Sequence, residues 1–237
     1  MTSQNRSSPN RRKARTPALA GSEQPAAATA APVEVVYDRG LATREKLLEA
    51  AIERFAAVGY EAASTRDIEA AAGVNRGLIA YHFKSKEALW KAAVTWLFAR
   101  AQQELAAAAR HGADVDPVAR LRYFVRAYVR FCARYPAVNR MMVQEGMHDD
   151  WRLAWLVEHF VRPWYGQVTA LLEAARALDA APAMDALHFY YILTGGAALI
   201  FAMAPEARQL SGIDPASDAA VDAHADALAN LLFPRDA

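Results

Sequence analysis

The segment from Ser64 to Phe83 constrains this chain most, because it packs two short helical stretches around a glycine turn. Ser64-Thr65-Arg66-Asp67 has the form of a capping box, in which Ser64 caps a helix and Asp67 reaches back to it. That helix runs through Ile68 to Ala72 and is stopped by Gly73; Val74 is the buried residue of the turn. Asn75 can cap a third helix, Arg76 to Phe83. Upstream, a helical period begins at Leu41: Leu48, Ala51, Ile52 and Phe55 share one face, and Arg44, Glu45, Glu49 and Glu53 the other. Gly59 supplies the permissive backbone just past that helix, with Tyr60 folding back onto it. Ser85 caps a long fourth helix, Lys86 to Arg110, which ends at His111-Gly112. The spacing predicts a helix-turn-helix domain over residues 39–85.

The remainder, 86–237, reads as a second helical domain. Helices are expected near 117–134, 137–147, 151–179, 184–204 and 216–232, with Pro163 kinking or splitting the third. Apolar residues make up 54% of the 237-residue chain and alanine dominates them, so a large helical core can be buried. No stretch shows strand-like alternation, and the fold class is all-α. Residues 1–38, rich in Ser, Pro, Ala, Gln and Arg, read as a disordered tail whose basic run Arg11-Arg12-Lys13-Ala14-Arg15 solubilises it or adds non-specific phosphate contacts. The uncharged stretch Phe189–Ala204 is shorter than the roughly 20 residues that a membrane span needs, so no membrane is expected. The net charge is only +1, and any affinity for a polyanion must come from a local arrangement of cations. The single cysteine, Cys132, excludes an internal disulfide and fits a reducing cytoplasm.

The helix expected over Arg76–Phe83 has two distinct sides. Ile79 and Phe83 lie four apart and can anchor it to its neighbours, which leaves Arg76, Gly77, Ala80 and Tyr81 facing outward. The major groove of DNA admits such a helix, and an arginine fork on guanine is worth roughly 1–3 kcal/mol of discrimination. Thr65, Tyr81, His82, Lys84 and Lys86 surround it with donors suited to phosphates. The stretch Thr43–Leu89 closely resembles the DNA-binding domain of the tetracycline-repressor (TetR) family. The resemblance rests on Phe55, Gly59, Tyr60, Ser64, Arg66, Asp67, Ile68, Gly73, Val74, Tyr81, His82, Phe83, Lys86, Glu87 and Leu89 in register. Two positions depart from it: Ala80 stands where many members have a phosphate-contacting tyrosine, and Leu78 where many have threonine, so that Leu78 would meet a thymine methyl. The DNA-contacting set is read as Thr65, Asn75, Arg76, Gly77, Leu78, Tyr81, His82, Lys84 and Lys86.

The resemblance implies that the remaining helices bind a ligand and dimerise, those near 164–178 and 184–204 building a four-helix bundle across a two-fold axis. A symmetric dimer fits a palindromic operator whose half-sites lie about 34–36 Å apart. Phe124, Tyr128, Phe131, Met141, Met142, Trp155, His159 and Trp164 are rich enough in aromatic and thioether groups to line a pocket for a small apolar or aromatic effector. The arginine stripe Arg122, Arg126, Arg130 and Arg134 reads as a solvated face or, less simply, as an anion site. His148-Asp149-Asp150 with His159 lacks metal-ligand spacing, and no acid, base or nucleophile constellation is present. The expectation is therefore a ligand-responsive repressor with no cofactor, no metal and no catalysis; the alternative is a helical protein–protein adaptor that does not bind DNA.

Overall fold

Residues 33–111 and 116–234 are described by the computed structural model, and every regular element among them is helical. The expected disorder of residues 1–32, with its basic run, lies outside the described residues. Helix α1 (Val33–Ala62) starts well before Leu41, so residues 33–38, expected in the tail, are helical. Its path breaks at Gly59, whose φ of 78° belongs to the left-handed region and re-aims the last turn carrying Tyr60 and Glu61. Helices α2 (Thr65–Ala71) and α3 (Leu78–Phe83) follow, then α4 (Lys86–His111). Leu48, Phe55, Ile68, Ile79, Phe83 and Trp90 close the centre of this unit. The same core continues along α4 through Val94 and Leu97 into the helices beyond.

The second unit comprises α5 (Pro117–Arg134), α6 (Pro136–Gly146), α7 (Trp151–Leu156), α8 (Arg162–Arg176), α9 (Ala186–Ala202), α10 (Ala204–Ser211) and α11 (Asp218–Leu232). The segment 151–179 is expected to be kinked or split by Pro163, and it is split just ahead of it: a π-helical turn, Val157–Val161, separates α7 from α8, and Arg162 N–H reaches the carbonyl of Val157 five residues back. Pro163 then sits in the first turn of α8, where its missing N–H costs nothing. For the same reason Pro205 opens the short helix α10 rather than merely ending α9, and α10 was not anticipated.

The arginine stripe of α5 is solvated only in part: Arg130 and Arg134 are exposed, Arg126 is half-buried and Arg122 is buried, and all four are spent on partners within the chain rather than left as an anion site. Arg122, only 4% exposed, donates to the carbonyls of Ala229 (3.1 Å) and Phe233 and to Asn230. Arg126 pairs with Asp226, and Arg130 with Asp222 at 2.7 Å, while Arg134 meets Glu104 of α4 at 3.1 Å. Asp222, Asp226 and Asn230 repeat at the same four-residue spacing as the arginines. The two stripes zip α11 onto α5, with Val125 and Val129 packed beneath.

Candidate nucleic-acid interface and ligand cavity

Helix α3 is held from below by Ile79 and Phe83, both buried, and shows solvent Ala80 and Tyr81, the latter 71% exposed. Arg76 and Gly77 belong to the turn that leads into α3 rather than to its first turn, because Gly77 adopts φ 90° as the residue before the helix. Arg76 is exposed and forms no ion pair with any described residue. Asn75 does not cap the helix. That task falls to Glu69 of α2, a buried carboxylate whose Oε1 accepts from the N–H groups of both Gly77 and Ile79 at 2.9 Å. The capping box of α2 is likewise half as expected: Ser64 Oγ accepts from Asp67 N–H, but the Asp67 carboxylate pairs with Arg54 of α1 at 3.2 Å.

Around this face, Asn75, Tyr81 and Lys84 are exposed, whereas Thr65, Leu78 and His82 are half-buried. His82 lies edge-on to Tyr81, with ring centres 4.9 Å apart. Lys84 donates to the carbonyl of Tyr81 at 3.1 Å. Lys86 is the departure: its ammonium donates to the carbonyl of Glu61 and lies 4.4 Å from the Tyr60 ring centre. The cation is aimed into the α1–α4 seam, where it ties the two helices together, instead of outward.

That seam continues into the second unit. Arg152 of α7, 7% exposed, holds the buried Glu145 of α6 at 2.7 Å, Glu61 at the end of α1 at 2.9 Å and Asp150 at 2.6 Å. Its guanidinium also lies 4.8 Å from the Tyr60 ring centre. Trp90 of α4 contacts Tyr60, Trp151 and Trp155 at ring-centre distances of 5.5–6.2 Å. Gln144 of α6 donates to the carbonyl of Ala56, and Arg140 pairs with Glu53. Helices α6 and α7 are therefore fastened to the end of α1 and the start of α4, the two elements that frame the reader.

Beyond the seam, α4, α5, α6, α7, α8, α9 and the π turn line a half-open cavity of about 920 Å³. Phe124, Tyr128, Phe131, Met142, His159 and Trp164 line it. Met141 does not: successive residues on a helix point about 100° apart, and Met141 turns into the core at 1% exposure. Trp155 also lies outside the wall, packed on Trp90 and stacked on the His159 ring at 4.8 Å. The sequence reading missed Asn139, Thr194 and Tyr190, and the α4 residues Phe98 and Gln102. Burial pushes the Cys132 thiol up to about 12, so it stays protonated and is no nucleophile near neutral pH. Among the described residues no group of three His, Cys, Asp or Glu side chains could hold an ion. No single helix among them is long and apolar enough to cross a membrane, although α9 and α10 pass that test as a pair bent by 75°.

The family of bacterial regulatory proteins, tetR family, matches residues 47–93, and the tetracyclin repressor-like C-terminal domain matches residues 117–231. Among curated proteins, the HTH-type transcriptional repressor AcnR of Corynebacterium efficiens is 44% identical over 55 residues, which cover 23% of this chain and 29% of AcnR. The probable acrEF/envCD operon repressor of Escherichia coli K12 is 34% identical over 105 residues, 43% of this chain and 46% of the repressor. The chain thus spans less than half the length of these curated relatives. Among solved structures, a putative fatty acid metabolism regulator of Clostridium perfringens superposes with a TM-score of 0.64 at 19% identity, over 79% of this chain and 96% of its own. AibR in complex with isovaleryl coenzyme A and operator DNA gives the same TM-score at 18% identity, over 81% of this chain and 98% of its own. With the DNA-binding and C-terminal domains matched in order over most of its length, and the shared fold present in both, the chain belongs to the tetracycline-repressor (TetR) family of transcriptional regulators.

Proposed function

We propose that this protein is a homodimeric, ligand-released repressor rather than an enzyme, binding a palindromic operator through the face formed by Arg76, Gly77, Ala80 and Tyr81. The observation that carries this reading is the unbroken physical connection between that face and the cavity. Helix α4 begins next to the reader and lines the cavity with Phe98 and Gln102; α6 and α7 line it too, and grip the end of α1 through Arg152. An effector that fits one disposition of α4, α6 and α7 better than another shifts the spacing of two reader helices, and it can do so only by the difference in its affinity for the two states. A fold of this kind can carry both ligands, since AibR has been solved with isovaleryl coenzyme A and operator DNA together.

A second copy supplies the cover for α9, which exposes Leu187 and Tyr191 four residues apart and Leu199 eight residues further along the same stripe. Beside it, α8 exposes the small residues Gly166, Ala170 and Ala174, which let a partner helix approach closely. Leu199→Arg is expected to convert the dimer to monomer in sedimentation velocity and to weaken operator binding with it. A dimer unchanged by this substitution places the interface elsewhere.

The reading is tested by a mobility-shift assay with the DNA upstream of the protein's own gene, against random duplex. Arg76→Ala should weaken specific binding by about one to two orders of magnitude, the value of one guanine contact, and leave binding to random DNA within about threefold. Equal loss on both duplexes would falsify the role of Arg76 in base recognition. No shift with the native protein would favour the adaptor.

A further inference from the structure

Helix α9 contributes two adjacent rows of residues to the cavity. Tyr190, Thr194 and Ala198 form the inner row, buried or half-buried against the body of the protein. Tyr191, Gly195 and Leu199, each one position further on and so turned by about 100°, form the outer row. Tyr191 is 66% exposed and Leu199 54%, so this row leaves one edge of the half-open cavity facing solvent. No Asp, Glu, Lys or Arg side chain lines the cavity, and an apolar occupant that reached the outer row would keep that edge in water.

The outer row belongs to the stripe that a second copy covers in the dimer proposed above, and Gly195 argues for the same cover. A Cβ at Gly195 would meet nothing within 4 Å, whereas one at the adjacent Gly196 would lie 3.1 Å from Leu228 Cδ1 of α11. Packing within the chain therefore accounts for Gly196 and not for Gly195, although glycine weakens a helix interior relative to alanine. Gly166, on the exposed side of α8, is equally uncrowded. Both glycines are explained by a backbone that approaches closely from outside the chain. Across a two-fold axis an interface is self-complementary, so the same two helices of a second copy are what α8 and α9 would meet.

We infer that the second copy completes the effector site: it closes the cavity along Tyr191, Gly195 and Leu199, and an uncharged apolar occupant is held partly against it. This rests on reading the cavity as the effector site and α8 and α9 as the dimer face. Occupancy and dimerisation are then linked, each strengthening the other by the same factor per site. An effector accordingly releases the operator from an intact dimer and does not act by splitting it.

The probe is N-phenylnaphthylamine, uncharged near neutral pH and fluorescent in apolar surroundings. Its affinity is measured on the full native chain, diluted through its dimer dissociation as followed by sedimentation velocity, and on the Ile192→Arg variant. Ile192 is 39% exposed on the outward side of α9 and does not line the cavity, so this substitution opposes the partner without altering the wall. Affinity is expected to follow oligomeric state, the dimer binding the dye about tenfold more tightly than the monomer, whether dilution or Ile192→Arg produces it. That factor requires only about 55 Å² of apolar surface to be covered at each cavity. Saturating dye should in turn lower the dimer dissociation constant about a hundredfold, tenfold for each of two sites. Equal affinity in monomer and dimer, or a dimer loosened by the dye, overturns the shared site while leaving cavity and dimer standing. A native chain that is monomeric at every concentration removes the dimer face, and no rise in fluorescence with any form removes the effector site; either result overturns the inference as well.

Discussion

The Arg152→Met variant is expected to be less stable than the native protein by about 3–5 kcal/mol, because it strands a buried carboxylate. Glu145 is 3% exposed and its partner in the interior is the Arg152 Nε at 2.7 Å. Glu61 and Asp150, which share the same guanidinium, have side chains 81% and 30% exposed, and water can replace their lost contact cheaply. The penalty therefore concentrates on Glu145. It follows that Glu145→Leu on the Arg152→Met background should recover most of the loss, since a hydrophobic pair of similar volume can substitute for a buried ion pair. In a thermal melt the single variant should fall by roughly 6 °C or more for a chain of this size, with the double variant between it and the native protein. A single variant within about 1 kcal/mol of native, or a double variant worse than the sum of its parts, contradicts the account. The cluster joins α1, α6 and α7, so the loss should also appear as faster hydrogen exchange at the end of α1.

What the sequence disclosed and what it hid follow from how far each interaction reaches along the chain. Caps and stops act within a few residues, and Ser64, Gly73 and Ser85 mark the observed ends of α2 and the start of α4. The apolar anchors Ile79 and Phe83 were legible from their four-residue spacing alone. The Glu69 cap was not, because its carboxylate crosses to backbone groups eight and ten residues ahead, and local capping rules pointed to Asn75 instead. The ladder between α5 and α11 joins residues about a hundred positions apart, such as Arg126 with Asp226. Its trace in the sequence is the matched spacing of Arg122, Arg126 and Arg130 with Asp222, Asp226 and Asn230. A stripe of like charge viewed by itself suggests solvent; two complementary stripes at one period suggest a helix pair. In the cavity, residue type identified the aromatic wall, but only the helix phase separates Met142 from Met141.

Glu69→Ala should weaken operator binding about as much as loss of Arg76 from the reader, although Glu69 touches no part of the outward face. The side chain is 5% exposed, and its Oε1 satisfies two N–H groups that no residue of α3 can reach. Helix α3 has six residues, too few to hold together on its own. Gly77, the residue before it, offers no side chain, and its φ of 90° leaves little choice of replacement. Loss of the cap strands the buried Ile79 N–H and frees the turn carrying Arg76, at about 1–3 kcal/mol for the unmet donor. An operator bound by two readers suffers that loss twice, so affinity should drop by at least about tenfold. Removing a negative charge near DNA by itself acts in the opposite direction, raising general affinity for phosphates. Glu69→Gln separates the two effects: it removes the same charge but keeps a carbonyl oxygen able to accept from Gly77 and Ile79. Operator affinity should therefore collapse in the alanine variant and remain within about threefold of native in the glutamine variant, with the α3 amides exchanging rapidly only in the former. If both variants bind alike, the carboxylate is not what fixes the reader in place.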